Sequence, residues 1–159
     1  MHPFLTAEHE AFRDTVRRFV RAEITPFAAE RDEAATFPRE LYKKAAAIGM
    51  LGLGFPEEYG GSSASSSGGD VFFRIVLSEE LSQCGAGGIC AGLMSHSIGA
   101  PPIAKFGSAK MKARVLPDIV ADGKISALAN TEPSGGSDVA ALKTTARKAS
   151  LNFHAPQLT

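Results

Sequence analysis

Apolar residues recur at helical spacing through the first two-thirds of the chain. Phe12, Val16, Phe19 and Val20 stand at i, i+4, i+7 and i+8, one stripe on one helix face. Thr6 is the predicted N-cap, and Glu8 and Glu10 in the first turn suit the positive end of the helix dipole. Pro26 interrupts or restarts this helix: Thr25-Pro26 has the residue types of an N-cap followed by N1, and good helix formers follow. Pro38 opens another helix in the same way, with Leu41, Ala45 and Ile48 on its buried face and Gly49 as its stop. Asp70 can cap a helix in which Phe72, Phe73, Val76, Leu77 and Leu81 form a broad apolar face, ended by Gly85, Gly87 and Gly88. A less polar helix is expected over 89–98, broken by Pro101-Pro102. Ser108 then starts a basic amphipathic segment with Met111, Val115 and Ile119 inward.

Two stretches between these helices read differently. Residues 49–61, GMLGLGFPEEYGG, hold too many glycines for a regular helix yet carry Leu51, Leu53, Phe55 and Tyr59, which predicts a buried turn where backbones approach closely. Residues 62–70 are a polar, flexible loop. After Gly123 the pattern changes. KISALAN, 124–130, reads as a strand, TEPSGGSD, 131–138, is turn chemistry, and 139–148 fits either a further extended segment or a short helix. There is no internal repeat. The expected class is mainly α: a helical bundle, then a single strand with no visible partner to satisfy its backbone groups. The chain is therefore expected to stop just after entering a second domain.

Composition narrows the function. Lys plus Arg and Asp plus Glu number 17 each in 159 residues, so the formal charge is zero and no basic excess is available to neutralise nucleic-acid phosphates. The 44% hydrophobic content excludes wholesale disorder. No apolar run approaches the roughly 20 residues of a membrane span, and the polar, acidic N-terminus is neither a secretory signal nor a transit peptide. A cytoplasmic protein is expected. Cys84 and Cys90 have neither CxxC nor zinc-ligand spacing and read as small buried hydrophobes, while His2, His9, His96 and His154 form no cluster, so no metal site is expected.

The segment with specific chemical logic is TEPSGGSD. Gly135 and Gly136 allow the backbone to pass close to a ligand and present N–H groups to a phosphate or pyrophosphate, and Thr131 and Ser137 supply hydroxyls for a ring heteroatom or phosphate oxygen. A plain surface turn, with Ser and Asp bonding to nearby backbone, explains the same residues. The segment is neither a P-loop nor a Rossmann GxGxxG.

ALANTEPSGGSDVAALKTTA, 127–146, resembles the flavin-binding signature of the acyl-CoA dehydrogenase family. Three further segments resemble the same family in the same order: LGLGFPEEYGG at 51–61, LSEEL at 77–81, and HSIGAPPIAKFGSAKMKARVLPDIVADGKISA at 96–127. The resemblance implies an N-terminal helical domain over 1–122, the start of a middle β domain over 123–148, and a non-matching tail over 149–159. It implies a plan of N-terminal helical, middle β and C-terminal four-helix domains, with FAD held between them. Leu128, Ala129, Asn130, Thr131, Glu132, Pro133, Ser134, Gly135, Gly136 and Ser137 would lie along the flavin. Thr131 would hydrogen-bond the isoalloxazine. Ser137 would reach the pyrophosphate and face the carrier portion of the acyl-CoA. Leu128 stands where many relatives have an aromatic and Asn130 where an aliphatic is common, so side-chain lining differs while main-chain contacts would persist. The helix expected at 89–98 would line the acyl pocket, or serve as ordinary core.

The reaction so implied is α,β-desaturation of an acyl-CoA thioester, with hydride passing to FAD and a proton to a Glu base in a part of the family's plan outside these residues. No catalytic residue is assigned in this chain. Glu79-Glu80 read as exposed or packing-related charges, Glu132 as a backbone-bonded turn residue, and Glu57-Glu58 as turn residues. Electron-transfer flavoprotein is the implied acceptor, full-length relatives are homo-oligomeric, and weak or absent FAD binding is expected of these residues alone. The alternatives are a non-catalytic helical binding module or gene remnant, or a related flavin oxidase or monooxygenase.

Overall fold

The computed structural model describes residues 3–62, 69–121 and 124–145. The chain divides into two compact units, Met1–Leu128 and Ala129–Thr159. The first is all helical among its described residues: α1 Ala7–Phe19, α2 Ala28–Glu33, α3 Glu40–Ala47, α4 Val71–Ser82, α5 Gly87–Leu93, α6 His96–Gly99, α7 Pro101–Phe106 and α8 Ala109–Ala121.

Helix α1 begins as the sequence predicts. The Thr6 hydroxyl accepts from the His9 amide at 3.4 Å, and His9 Nδ1 accepts from the Thr6 amide at 2.9 Å, a capping box with His where Glu or Gln is usual. Val16, Phe19 and Val20 are buried, and Phe12 packs at the edge of the core. Pro26 takes effect earlier than expected. It lacks the N–H that would continue the ladder, and the chain passes through a π-helical turn, Val20–Ile24, and a 3-10 turn, Thr25–Phe27, before α2. Thr25 makes no side-chain cap; its amide donates to the Val20 carbonyl.

The ends of α2 and α3 share one hydrogen-bond pattern with different residues in the left-handed position. After α3, Gly49 has φ +80°, its amide donates to Ala46 O at 2.9 Å, and the Met50 amide donates to Ala45 O at 3.0 Å. After α2 the same two bonds run from Ala35 to Asp32 O and from Thr36 to Arg31 O, with Ala35 at φ +50°. Helix α3 starts at Glu40, and Pro38 accepts from the Leu41 amide in the preceding turn.

The glycine-rich segment after α3 is the buried turn its composition predicts. Phe55 is buried, and a Cβ on Gly61 would fall 2.0 Å from the Phe55 carbonyl oxygen, so only glycine fits. Asp70 Oδ1 accepts from the Phe72 amide at 2.9 Å and caps α4. Of the three glycines expected to end α4, Gly85 at φ +68° does so, whereas Gly87 and Gly88 open α5.

The helix expected over 89–98 is two pieces, α5 and α6, and Pro101 opens α7 rather than only breaking its predecessor, because a proline at the first helical position has no amide to waste. In α8 the Ser108 hydroxyl accepts from the Met111 amide, but Met111 is 41% exposed; the buried stripe is Leu116, Ile119 and Val120.

The main core joins α1, α3, α4 and α5 through residues such as Val16, Ile24, Leu41, Leu77 and Leu93; a second cluster joins Phe55 to Ala100, Leu116, Ile119 and Val120. Each fully buried side chain of this size contributes roughly 1.5–3 kcal/mol.

Residues 124–131 carry no regular secondary structure, which corrects the strand expected at 124–130. A strand needs a ladder, and among the described residues the one isolated bridge joins Glu132 to Gly135 inside a turn. Val139–Ala141 is a 3-10 turn. Residues 63–68 of the expected polar loop, 146–148 of the segment after the turn, and the tail at 149–159 lie outside the described residues, as do His2 and His154.

Candidate functional site

The glycine-rich turn of the second unit closes on its own backbone. The Glu132 amide donates to Gly135 O at 2.9 Å and the Gly135 amide donates back to Glu132 O at 3.1 Å, with Pro133 and Ser134 at the corner. The Glu132 carboxylate then latches the turn to the chain eleven and twelve residues on. It accepts from the Lys143 amide at 3.0 and 3.1 Å and from the Thr144 amide at 2.6 Å, and Ser134 Oγ reaches it at 3.4 Å. Hydrogen bonding from Thr144, side chain first, and from these amides pulls the Glu132 carboxyl down to about 2. Glu132 is thus an organiser of the turn, fully ionised at neutral pH.

The residues expected to meet FAD fall into two groups. Glu132, Ser134 and Gly135 are drawn together by the bonds above. Leu128, Ala129, Asn130, Thr131, Pro133 and Ser137 are exposed, and Gly136 is half-buried. Leu128 closes the first unit, and the other nine lie in the second. Among the described residues, neither the Thr131 nor the Ser137 hydroxyl makes a hydrogen bond, and the amides of Gly136 and Ser137 donate to no acceptor. A Cβ on Gly135 would meet nothing within 4 Å, so the fold of this unit gives no reason for glycine there. Two free hydroxyls, two free amides and open space over a glycine fit an acceptor-rich group such as a pyrophosphate and ring edge.

Two of the carboxylates weighed as bases, Glu79 and Glu80, are held by arginines. Glu80, 5% exposed on α4, is held on both oxygens by Arg17 of α1, Nε at 3.0 Å and Nη2 at 2.8 Å, and Arg13 reaches it at 3.2 Å. Hydrogen bonding from Arg17, then from Arg13, lowers its pKa against the opposing effect of burial. Glu79 is exposed and pairs with Arg13 at 2.7 Å. Of the two readings offered by sequence, Glu80 is the packing charge and Glu79 the exposed one. Glu57 and Glu58 are exposed in a 3-10 turn.

Several arrangements escaped sequence reading. His9 is buried and its Nε2 lies 3.0 Å from Asp70 Oδ2, so one imidazole ties the cap of α1 to the cap of α4; the spacing Thr6-x-x-His9 was the available signal. His96 is buried beside the Leu93 carbonyl, and burial pushes its pKa down, which keeps it neutral at physiological pH. Cys84 and Cys90 bring their sulfurs to 3.4 Å. A cavity of about 190 Å³ lies between α4 and the α5–α6 region, with Leu77, Ser78, Met94, His96 and Ser97 in its wall. Among the described residues, no group of three or more His, Cys, Asp and Glu could hold a metal ion, and no helix is long and apolar enough to cross a membrane.

Known proteins fit this architecture. Residues 6–123 match the family described as acyl-CoA dehydrogenase, N-terminal domain. The chain belongs to the acyl-CoA dehydrogenase family. It is 41% identical over 144 residues to the short-chain specific acyl-CoA dehydrogenase of Clostridium acetobutylicum, covering 89% of this chain and 36% of that protein. It is 40% identical over 143 residues to acryloyl-CoA reductase (NADH) of Anaerotignum propionicum, covering 89% and 34%. Among solved structures, an acyl-CoA dehydrogenase from Bacillus anthracis complexed with FAD superposes with a TM-score of 0.74 at 31% identity, covering 90% of this chain and 24% of that one. The chain spans about a third of the length of the curated relatives it matches.

Proposed function

We propose that this chain supplies the N-terminal helical domain, and over 123–148 the first flavin-contacting part of the middle domain, of an FAD-dependent oxidoreductase acting on the α,β carbons of acyl-CoA thioesters. The observation that carries the reading is the turn at 131–137: its carboxylate is consumed internally, while Thr131, Ser137 and two amides have no partner among the described residues, in a family whose relatives include an FAD complex. FAD, when bound, supplies the acceptor for a hydride from the β carbon. This chain's residues hold and orient it. The Thr131 hydroxyl bonds the ring edge, the Gly136 and Ser137 amides and the Ser137 hydroxyl hold the pyrophosphate, and Gly135 admits close approach. Ser137 also faces the carrier portion of the thioester. In the first unit, α5 and α6 form a wall of the acyl pocket, with the cavity beside Leu77, Met94 and the polar Ser78, His96 and Ser97 as its floor.

As the family resemblance implies, the proton is taken by a carboxylate outside these residues; Glu80 and Glu132, both held by hydrogen bonds that lower their pKa, are poorly suited to that role. The 159 residues alone therefore bind FAD weakly and do not turn over. The assembled enzyme is a cytoplasmic homo-oligomer that passes electrons to electron-transfer flavoprotein. The test is to join residues 1–145 to the two-thirds of the Clostridium acetobutylicum enzyme that this chain does not match, and to assay acyl-CoA-dependent reduction of a dye. Turnover with saturated acyl-CoA supports the reading. A folded hybrid that consumes only reduced nicotinamide and an enoyl-CoA would support the reductive direction of the Anaerotignum relative. Oxygen consumption without dye reduction would indicate an oxidase.

A further inference from the structure

We propose that Cys84 and Cys90 are one redox-active site, which forms an intramolecular disulfide by exchange with a small-molecule disulfide such as oxidised glutathione. The sulfurs are 3.4 Å apart, both free thiols, across the turn that ends α4 and begins α5. A bond of about 2.0 Å is reached if each sulfur moves by less than about 1 Å. Gly85, in the turn between them, is left-handed at φ +68°, and Cβ atoms on Gly85 or Gly87 would meet nothing within 4 Å, so no neighbouring atom crowds these positions of the turn as the sulfurs approach. A cavity of about 500 Å³ has Cys84 and Cys90 in its wall together with Ser82, Gly85 and Met94, and Cys90 is only half-buried, so a small disulfide has a path to the sulfur. The site is independent of the flavin reading.

The chemistry balances in two steps. One cysteine thiolate attacks oxidised glutathione, forming a mixed disulfide and releasing one glutathione thiolate. The second cysteine thiolate attacks the protein-side sulfur of that mixed disulfide, forming the Cys84–Cys90 bond and releasing the second glutathione. Two protein thiols lose two electrons and two protons, and one disulfide is reduced to two thiols. Burial, and then Cys84 itself, pushes the Cys90 thiol up to about 12, so the Cys90 thiol is protonated at neutral pH and its part in the exchange accelerates as pH rises. Loop closure over so few residues favours the internal bond over two separate adducts.

The test is intact-protein mass. Reduced, desalted, folded protein is incubated with excess oxidised glutathione at mildly alkaline pH and quenched in acid. The expected result is a mass lower by two hydrogens, restored by dithiothreitol, with Cys84→Ser and Cys90→Ser each carrying one glutathione adduct instead. Two glutathione adducts on one wild-type chain would overturn the proposal. So would a mass that stays unchanged in native buffer and falls only in denaturant.

Discussion

Replacing Glu80 by Gln removes one charge from the seam between α1 and α4 while keeping the side-chain volume. In the native protein Arg17 holds both carboxylate oxygens at 3.0 and 2.8 Å and Arg13 adds a bond at 3.2 Å. Glutamine keeps one acceptor and turns the other oxygen into a donor aimed at a guanidinium. The arginines are not orphaned. Arg13 retains Glu79 at 2.7 Å and Glu10 at 3.2 Å, and Arg17 is 39% exposed, so water can solvate it. The cost therefore falls below the about 3–5 kcal/mol of stranding a buried charge. It exceeds the about 0–1 kcal/mol of a surface pair. About 2 kcal/mol is expected, within the range of hydrogen bonds to charged groups.

The pH dependence has a defined sign. Because the folded pKa of Glu80 is depressed, its stabilisation is fully present above the unfolded value of about 4.3. It is lost as pH falls below that value toward the folded pKa. Urea unfolding followed by circular dichroism should place Glu80→Gln about 2 kcal/mol below wild type at pH 7, and the two should converge as pH falls below the unfolded value of about 4.3 toward the depressed folded pKa. A difference under about 0.5 kcal/mol at pH 7, within the usual range for surface substitutions, would refute the reasoning. So would a gap that persists undiminished into acid.

Gly61→Ala places a Cβ 2.0 Å from the Phe55 carbonyl oxygen and should cost about 3 kcal/mol or prevent folding, whereas Gly135→Ala, with open space above it, should leave the melting temperature unchanged. Thr6→Ala removes the hydroxyl half of the α1 capping box and should cost about 1 kcal/mol in denaturant titration. Ala35→Gly relieves a left-handed alanine in the bond pattern that glycine completes at position 49, and should raise stability by up to about 1 kcal/mol. With the Glu132 carboxyl at about 2, the amide resonances of Lys143 and Thr144 should shift only as pH approaches 2; a midpoint near 4 would mean that the latch does not form in solution.

Caps and periodicity were readable because they are local. Thr6, Asp70 and Ser108 cap the helices they precede, and Val16, Phe19 and Val20 turn inward together. Misreadings arose where a tertiary partner or a proline decided the outcome. Of the expected stripe Met111, Val115 and Ile119, the last two reach the second core, which Leu116 and Val120 complete, while Met111 stays exposed. The missing amide of Pro26 acts on the turn before it, producing the π segment. KISALAN has strand composition, but composition brings no partner strand. At the candidate site the residue types were legible, whereas the Glu132 latch depends on backbone eleven and twelve residues away, and the cysteine pair depends on how the α4–α5 turn folds back.

Whether the turn at 131–137 holds a flavin when the rest of the enzyme is present is read from the visible absorption of the purified hybrid, as flavin per chain. A yellow protein with close to one FAD per chain is expected, with a marked loss of flavin in the Gly135→Ala hybrid at unchanged fold. A folded, colourless hybrid that takes up no FAD on titration would contradict that expectation.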